Sequence, residues 1–426
     1  MFKAFIKQDF ILTITIILLM IIGIVTISST NNSYIAERQT IFMVLGLIIY
    51  FFLMRIDYNI YKYKSIQTIG YVAVFILLIL IYILNIKLNN THRWFTLGGI
   101  DIQPAEFAKI VIIIITASFF TLFQKGEKII KKILLGFLII LPIVALVFKQ
   151  PALGTSVVIV VIWAAIVFAA YYDQIKLIII FLTFIVSSLF ITIFIGINFL
   201  SANLNLIFFK INIALFLIFL VLETILYKLS RKKMYSYLFI GIVLFGILFG
   251  STFKFVVWDH LMKNYQKQRI VGFLSPSSSN YSNSLNFQTT QSKIAIGSGG
   301  LWGEGYGKGT QSSLNFLPED TTDFIYSTFI EDFGFIGNIV FMFLYIVLFS
   351  RLLFILKNTE NKFAFLLVFG IITMIFFQFL INIGMSIGFV PVTGIPLPLV
   401  SYGGSSLITV LISLGIIQNI HTKNRL

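Results

Sequence analysis

Long uninterrupted runs of apolar residues are the feature that most constrains this chain. Most are about 16 to 24 residues long, the length of helix that crosses the hydrocarbon core of a membrane. Hydrophobic residues make up 58% of the chain and charged residues 11%, a balance that exceeds what a soluble core requires. The sequence therefore predicts an all-α polytopic membrane protein. Its twelve candidate spans lie near residues 10–29, 38–54, 65–86, 104–123, 133–148, 155–171, 177–199, 205–226, 235–256, 325–350, 363–383 and 398–420.

Lys and Arg are spread unevenly over the loops between these spans. When alternate loops are assigned to opposite sides of the membrane, most basic residues fall on one side, including the RKK run at 231–233. Because basic loops stay in the cytoplasm, both termini are predicted to be cytoplasmic and the long segment 257–324 extracytoplasmic. Removing 205–226 and 235–256 together would preserve the alternation, so a bundle of ten spans and one of twelve both fit the charges.

Composition excludes several classes of site. The chain has no Cys and only three His, which excludes disulfide scaffolds, thiolate metal sites and cysteine nucleophiles. The sequence identifies no cofactor, and it leaves open whether the protein binds a divalent cation. The net charge of +15 is typical of cytoplasmic loops near anionic lipid, so we expect no nucleic-acid partner.

The extracytoplasmic segment 257–324 is far longer than a connection between helices requires. Long loops on a rigid scaffold often carry function, whereas a disordered tether is the alternative. The closely spaced glycines at 297–309 favour ordered turns. Lys308 is followed by Gly309, so the pattern fails as a nucleotide-binding loop. Backbone amides with Lys308 could cradle a pyrophosphate or sugar, or the glycines could serve turns alone.

An acidic and a basic residue share one face at the start of the fourth span. Pro104 suits the first position of a helix, and Glu106 complements the helix dipole there. Lys109 follows at i+3, deeper in the membrane, where an unpaired charge is costly. We therefore expect an ion pair near a polar groove, while helix capping is a sufficient structural reason for Glu106 alone.

Seven motifs in order give the chain a specific resemblance to a known family. From about residue 8 to 420 it resembles the SEDS family (shape, elongation, division and sporulation; FtsW/RodA/SpoVE), and within it the rod-shape branch. The motifs are RWFTLGG (93–99), QPAEFAK (103–109), YQKQR (265–269), QSKIAIGSGG (291–300), GTQSSLNFLPE (309–319), TDFIYS (322–327) and PVTGIPLPLVSYGGSS (391–406).

The resemblance implies a fold and an activity. Such proteins normally have ten spans, which would make 205–256 an extra helix pair, and they are peptidoglycan glycosyltransferases. They polymerise lipid II, the undecaprenyl-pyrophosphate disaccharide pentapeptide, on the outer leaflet, usually with a class B penicillin-binding protein, the transpeptidase. The reaction needs a general base and cationic or amide donors for the leaving pyrophosphate. The residues expected to line the substrate groove are Arg93, Glu106, Lys109, Arg269, Gln291 and Lys308.

The chain departs from the family at polar positions. The family carries an aspartate in the region aligned with 277–286, whereas counting here ends on Ser279 or Tyr281, and no Asp occurs from His260 to Gly303. A serine hydroxyl cannot replace a carboxylate as base near neutral pH. Two further family positions, usually Asp and His, hold Ala152 and Thr321.

A relocated base would have to come from another acid on the outer side. Glu319 and Asp323 are the main candidates, because they lie within family motifs and are spaced i, i+4 if that segment is helical. Capping of the following helix and pairing with basic side chains is the structural alternative for both. The other outer-side candidates are Asp259 with His260, Glu304 and Asp320.

Three functions are compatible with this pattern. The first is an active peptidoglycan glycosyltransferase of cell-wall elongation with a relocated base. The second is a catalytically impaired relative that binds lipid-linked precursor or a transpeptidase and regulates wall synthesis. The third, a flippase for the lipid-linked precursor, is disfavoured because no acidic residue lies near the middle of a span.

Overall fold

The computed structural model describes most of the chain in segments. These are residues 8–30, 32–83, 93–97, 100–122, 129–150, 152–171, 285–314, 316–317 and 319–424, with the single residues Lys267, Arg269 and Phe273. The chain divides into two compact units, one formed by Met1–Ala170 with Phe287–Leu426 and the other by Tyr171–Asn286. Nearly all described residues belong to the first unit.

The described part of the chain contains nine helices that are long and apolar enough to cross a membrane. Their bounds are α1 Phe10–Ser29, α2 Ser33–Leu53, α3 Lys64–Ile83, α4 Pro104–Thr121, α5 Ile129–Lys149, α6 Leu153–Ala170, α9 Ile325–Lys357, α10 Lys362–Ser386 and α11 Gly404–Asn424. These helices confirm nine of the twelve predicted spans. The predicted spans 177–199, 205–226 and 235–256 lie outside the described residues, so the extra helix pair stays a prediction.

Shorter elements complete the order. A 3-10 helix spans Tyr58–Lys62, and an antiparallel hairpin pairs β1 (Phe95–Leu97) with β2 (Ile100–Ile102), Thr96 lying opposite Asp101. The long polar segment contributes α7 (Leu285–Ser298) and α8 (Thr310–Ser313). The ordered turns expected from the glycines are therefore confirmed for residues 285–314.

Small residues allow the helices to approach closely. Helix α4 packs against α3, α6 and α10, and α11 packs against α2. Ala105 and Ala108 of α4 are fully buried in an apolar cluster with Ala152 and Ile159 at α6. Without a hydrophobic force between helices in lipid, such close packing supplies the van der Waals contact that joins them.

Glycine breaks α9 near its start. Gly334 has φ +65° and ψ −163°, values outside the helical range. The backbone amides of Phe335 and Ile336 donate to the carbonyl oxygens of Gly300 and Leu301, at 2.9 and 3.1 Å. At the break, the amides of α9 lose their acceptors within the helix. The carbonyl groups of the glycine segment 299–307 accept from them instead.

One predicted helix start is wrong. The last span was expected from residue 398, but 391–403 is non-helical and α11 begins at Gly404. Pro396 and Pro398 lack the backbone N–H that a helix interior needs, and Leu399 adopts a positive φ of 70°. Residues 398–400 instead form a turn before α11.

Polar contacts also join the helices at the opposite end. Asp9 caps α1 by accepting from the amide of Leu12 at 3.0 Å, and its second carboxylate oxygen lies 2.6 Å from Nη2 of Arg351 in α9. Asn419 of α11 accepts from the amide of Tyr58 and donates to the carbonyl of Met54. Lys423 forms an ion pair with Asp57.

Candidate functional site

The hairpin is fixed to the start of α11 by one serine. Ser405 Oγ accepts from the amide of Gln103 at 2.9 Å and donates to the carbonyl of Asp101 at 3.2 Å. The end of the bundle that carries the hairpin is called the hairpin end below. Two motifs distant in sequence, around residues 100 and 400, therefore meet there.

Three consecutive carbonyl groups hold the segment that precedes α9. The carbonyl of Thr321 accepts from the amide of Tyr402 at 2.9 Å, and that of Thr322 from Ser401 Oγ at 2.5 Å. The carbonyl of Asp323 accepts from Nδ2 of Asn382 at 3.0 Å. Residues 321–323 are thus positioned through the backbone.

Buried hydroxyls bring α7 to the same end. Ser292 Oγ lies 2.5 Å from Ser327 Oγ and donates to the carbonyl of Ser386 at 2.7 Å. Because the single proton of Ser292 serves Ser386, Ser327 is the donor in the first contact. We call the whole set the hydrogen-bonded rim. Its members are Asp101, Gln103, Ser292, Thr321, Thr322, Asp323, Ser327, Asn382, Ser386, Ser401, Tyr402 and Ser405.

The expected ion pair lies one turn below this rim. Lys109 Nζ is 2.6 Å from Glu106 Oε2, and the two side chains are 1% and 3% exposed. Pro104 begins α4, as expected for the first helical position. The interpretation of Glu106 and Lys109 as an ion pair is confirmed.

Arg93 has a positioning contact. Its Nε donates to the carbonyl of Gln150 at 3.1 Å, and Nε2 of the fully buried Gln150 donates to the carbonyl of Leu78 at 2.9 Å. The arginine therefore joins the segment before the hairpin to the junction of α5 and α6. Ala152, where the resemblance implies Asp, is buried in the apolar cluster described above.

The amides of the glycine segment serve the fold. Those of Glu304 and Gly305 donate to the carbonyls of Glu331 and Asp332 at 2.8 and 3.2 Å, and that of Gly303 donates within the segment. These three amides are therefore not available to a pyrophosphate. The prediction that backbone amides of this segment bind a pyrophosphate or sugar is wrong for these three. Lys308 is exposed, and its role in substrate binding stays a prediction.

A carboxylate caps the short helix α8. Glu331, fully buried, accepts from the amides of Gln311 and Ser312 at 2.7 and 3.1 Å. Its neighbour Asp332 is also buried, and Glu304 Oε2 accepts from the amide of Thr310 at 3.1 Å. The carboxylates of Glu304 and Glu331 contact this segment directly, and their negative charge opposes an anionic leaving group there.

The helical relation expected between Glu319 and Asp323 is wrong. Residues 319–324 form turns, Glu319 has φ +60°, and α9 begins at Ile325. Neither is the N-cap residue of α9, which is Phe324. Glu319 is exposed and accepts from the hydroxyl of Thr322 at 2.8 Å. Whether either acid acts as the base stays a prediction.

Asp320 has the protonation behaviour that a base near neutral pH needs. Burial raises the pKa of this carboxyl from 3.8 to about 6, and the nearby charge of Glu319 adds to the rise. General bases are most effective when their pKa lies near the working pH. Asp320 therefore joins Glu319 and Asp323 as a candidate base on the segment that the rim positions.

The remaining predicted residues are only partly located. Gln291 is half-buried on α7, next to Ser292, and Arg269 is half-buried in the unit Tyr171–Asn286. Ser279, Tyr281, Asp259 and His260 lie outside the described residues. Among the residues that are described, no group of three His, Cys, Asp or Glu side chains is arranged to hold a metal ion.

Sequence reasoning missed the amides that support the rim. Gln39 of α2 is buried, donates to the carbonyl of Ser401 at 3.1 Å and accepts from the amide of Gly403. Asn382 is fully buried and donates to the carbonyls of Asp323 and Ile395. Both are amides within apolar spans, and an isolated polar side chain in a membrane helix is a signal of interhelical hydrogen bonding.

Comparison with known proteins gives matches over the whole chain. The family model FTSW_RODA_SPOVE, described as cell cycle protein, matches residues 4–204 and 191–426. The peptidoglycan glycosyltransferase RodA of Treponema pallidum is 30% identical over 430 residues, covering 97% of this chain and 98% of its own.

Two solved structures share the fold. One is described as the structural coordination of polymerization and crosslinking by a peptidoglycan synthase complex. It has a TM-score of 0.68 at 23% identity, covering 98% of each chain. The crystal structure of the rod shape determining protein RodA of Thermus thermophilus has a TM-score of 0.59 at 21% identity, again with 98% of each chain covered.

Proposed function

Because this multi-pass membrane protein belongs to the FtsW/RodA/SpoVE family, also called SEDS, we propose that it is a peptidoglycan glycosyltransferase that polymerises lipid II at its hairpin end. The observation that carries the proposal is the buried Glu106–Lys109 pair beside the hydrogen-bonded rim. The rim joins segments from four of the seven family motifs, and a buried ion pair next to it is a functional-site feature in a membrane.

The reaction needs acidic side chains and basic side chains for different tasks. The acceptor sugar hydroxyl attacks the anomeric carbon of the donor, the bond to the pyrophosphate breaks, and the hydroxyl proton passes to a base. Asp320, Glu319 and Asp323 are the candidates for that base. Arg93 in the first unit and Arg269 in the second are each a candidate for supplying positive charge to the pyrophosphate, which a preorganised cation stabilises more effectively than water does.

The location of the protein and its orientation in the membrane are inferred from its family and from the distribution of Lys and Arg over the loops. We place the protein in the bacterial cytoplasmic membrane with both termini inside, so that the hairpin end faces the outer leaflet. A class B penicillin-binding protein is the proposed partner. The relative described as a peptidoglycan synthase complex, which couples polymerization and crosslinking, supports a transpeptidase in that role.

A second function is favoured by one specific observation. No Asp occurs between His260 and Gly303, so the family's aspartate has no counterpart there. If no other acid serves as base, the protein binds lipid-linked precursor or the transpeptidase without turnover and regulates wall synthesis.

Polymerisation of labelled lipid II by the protein with its transpeptidase separates the two functions. We expect polymer from the wild type and about a hundredfold less or lower from whichever of Asp320→Ala, Glu319→Ala or Asp323→Ala removes the base, the low end of the usual contribution of a general base. Glu360→Ala is the matched control, since Glu360 is an exposed carboxylate between α9 and α10 at the opposite end of the bundle. Wild-type protein that binds lipid II and makes no polymer would establish the regulatory function.

Binding can be tested apart from turnover. We expect Arg269→Ala to weaken lipid II binding, because the lost guanidinium can no longer pair with the pyrophosphate. Unchanged affinity would remove Arg269 from the pyrophosphate site.

A further inference from the structure

The glycine segment 299–307 presents apolar side chains to its surroundings. Leu301 is 65% exposed and Trp302 78% exposed, and Tyr306 is more than half exposed. The backbone on either side is turned by Gly300 and Gly303, which have φ +51° and +83°. In this conformation the backbone of the segment forms hydrogen bonds with α9, and its large side chains are exposed.

Backbone contacts fix the level of these side chains along the membrane axis. The carbonyls of Gly300 and Leu301 accept from the amides of Phe335 and Ile336, the first residues after the break in α9. Leu301 and Trp302 therefore lie at the level where the continuous part of α9 begins.

That level coincides with the edge of the hydrocarbon core. Residues 335–357 of α9 form about 34 Å of helix at about 1.5 Å per residue, close to the roughly 30 Å of a bilayer core. Their exposed face is apolar and includes Phe335, Ile339 and Phe343. In a membrane this exposed apolar face contacts lipid, and the backbone bonds place Leu301 and Trp302 at the level of its first residues.

The segment is uncharged where it would meet the hydrocarbon core and carries charged residues farther along the chain. Residues 299–303 carry no ionisable side chain, and Glu304 and Lys308 follow. Trp and Tyr are enriched where the hydrocarbon core meets the headgroups, because one end of the ring is apolar and the other forms hydrogen bonds.

We propose that residues 301–306 form a membrane-interface anchor, in which Leu301 and Trp302 insert among the lipid chains at the boundary of the leaflet on the hairpin end. The anchor holds the polar segment between α7 and α9 against the bilayer surface. It requires only that the chain spans a membrane, so it stands apart from the glycosyltransferase activity.

The absence of Cys from the chain makes the test direct. Trp302→Cys gives a single site for a nitroxide spin label, with no native thiol to remove. The labelled protein is reconstituted alone into phosphatidylglycerol–phosphatidylethanolamine vesicles. Collision with oxygen, which concentrates in lipid, is then compared with collision with a water-soluble nickel chelate.

Two variants calibrate the result. Phe335→Cys reports the lipid-facing start of the α9 span, and Lys308→Cys reports an exposed position beside Glu304 and Gly309. We expect the oxygen-to-nickel collision ratio at Trp302→Cys to match that at Phe335→Cys and to exceed that at Lys308→Cys severalfold. A ratio equal to that of Lys308→Cys would overturn the proposal, as would shielding from both reagents, which would show that protein covers the site.

Native tryptophan gives a second readout that needs no label. Lipids brominated near the glycerol end of their acyl chains quench tryptophan at the boundary. We expect wild-type vesicles to show a quenched component that Trp302→Phe lacks. Equal quenching of the two proteins, which otherwise share Trp94, Trp163 and Trp258, would contradict an inserted Trp302.

Discussion

The Glu106–Lys109 pair places two charges where a single charge is hardest to accommodate. Lys109→Met leaves the Glu106 carboxylate buried without its partner, and we expect a loss of about 3–5 kcal/mol in the free energy of unfolding. The double variant Glu106→Gln with Lys109→Met has no buried charge and should recover most of that loss. Thermal unfolding in detergent of the two single variants and the double variant measures the coupling, and additive effects would contradict an energetically coupled pair.

Asp320 should make stability depend on pH in a defined direction. Its pKa is raised from 3.8 to about 6 by burial, so the folded protein holds the proton more tightly than the unfolded chain does. The contribution of the Asp320 carboxyl to the free energy of unfolding therefore falls as the pH rises from 3.8 to about 6. The total loss is at most about 3 kcal/mol.

Asp320→Asn should remove this dependence and be more stable than the wild type above pH 6. The difference between the two unfolding curves, measured from pH 4 to pH 7, isolates the contribution of the one carboxyl. Asp320→Glu keeps a titrating group and should retain the slope. A constant difference between wild type and Asp320→Asn over that range would contradict the raised pKa.

The break in α9 depends on glycine at one position. A Cβ on Gly334 would lie 2.3 Å from the amide nitrogen of Gly303 and 2.7 Å from the carbonyl carbon of Leu301, and the residue has φ +65°. We expect Gly334→Ala to cost more than the roughly 1 kcal/mol that positive φ alone costs a non-glycine residue.

Gly297 in α7 is the matched control, because a Cβ there meets nothing within 4 Å. Gly297→Ala should be neutral or stabilising by up to about 1 kcal/mol, as expected for Ala in a helix. Thermal unfolding of both variants tests the assignment. Equal effects at the two positions would show that the approach of residues 301–303 to α9 is not required.

Sequence alone predicts the elements that depend on local chemistry. Helix α1 lies within its predicted bounds because the apolar run and the capping Asp9 are adjacent in the chain. The Glu106–Lys109 pair follows from its i, i+3 spacing on one helix. The start of α11 was misplaced because apolar residues 397–400 extend the hydropathy signal across the prolines of the preceding segment.

The hydrogen-bonded rim could not be predicted in the same way. Gln103 meets Ser405, and Asp323 meets Asn382, across long stretches of chain. Nothing in the local pattern states which polar residue of one span faces which loop of another. Such pairings are decided by helix packing, and short motifs indicate only that these segments belong to one family.

At the scale of the whole molecule, Asp9 joins the first helix, α1, to α9 and α11. It caps α1, pairs with Arg351 of α9 and, through its carbonyl, accepts from Gln418 of α11. Asp9→Asn keeps an N-cap acceptor and loses the charge of the pair, whereas Asp9→Ala loses both. We expect Asp9→Ala to be less stable than Asp9→Asn by about 1 kcal/mol, the usual value of an N-cap.

Unfolding temperatures of the two variants measure that difference, and Arg351→Met measures the pair from its other side. Arg351→Met leaves a buried carboxylate and should be at least as damaging as Asp9→Asn. If all three variants unfolded like the wild type, the contact between α1 and α9 would not contribute to stability.

The way residues 321–323 are held affects how this family can diverge. Their three carbonyls accept from Tyr402, Ser401 and Asn382, and a carbonyl is the same whatever side chain its residue bears. These three contacts are therefore independent of the identity of those side chains. Thr321, at a position where the resemblance implies His, therefore keeps its carbonyl contact to Tyr402, so selection can exchange the reactive groups of the site while the contacts that hold the segment are inherited unchanged.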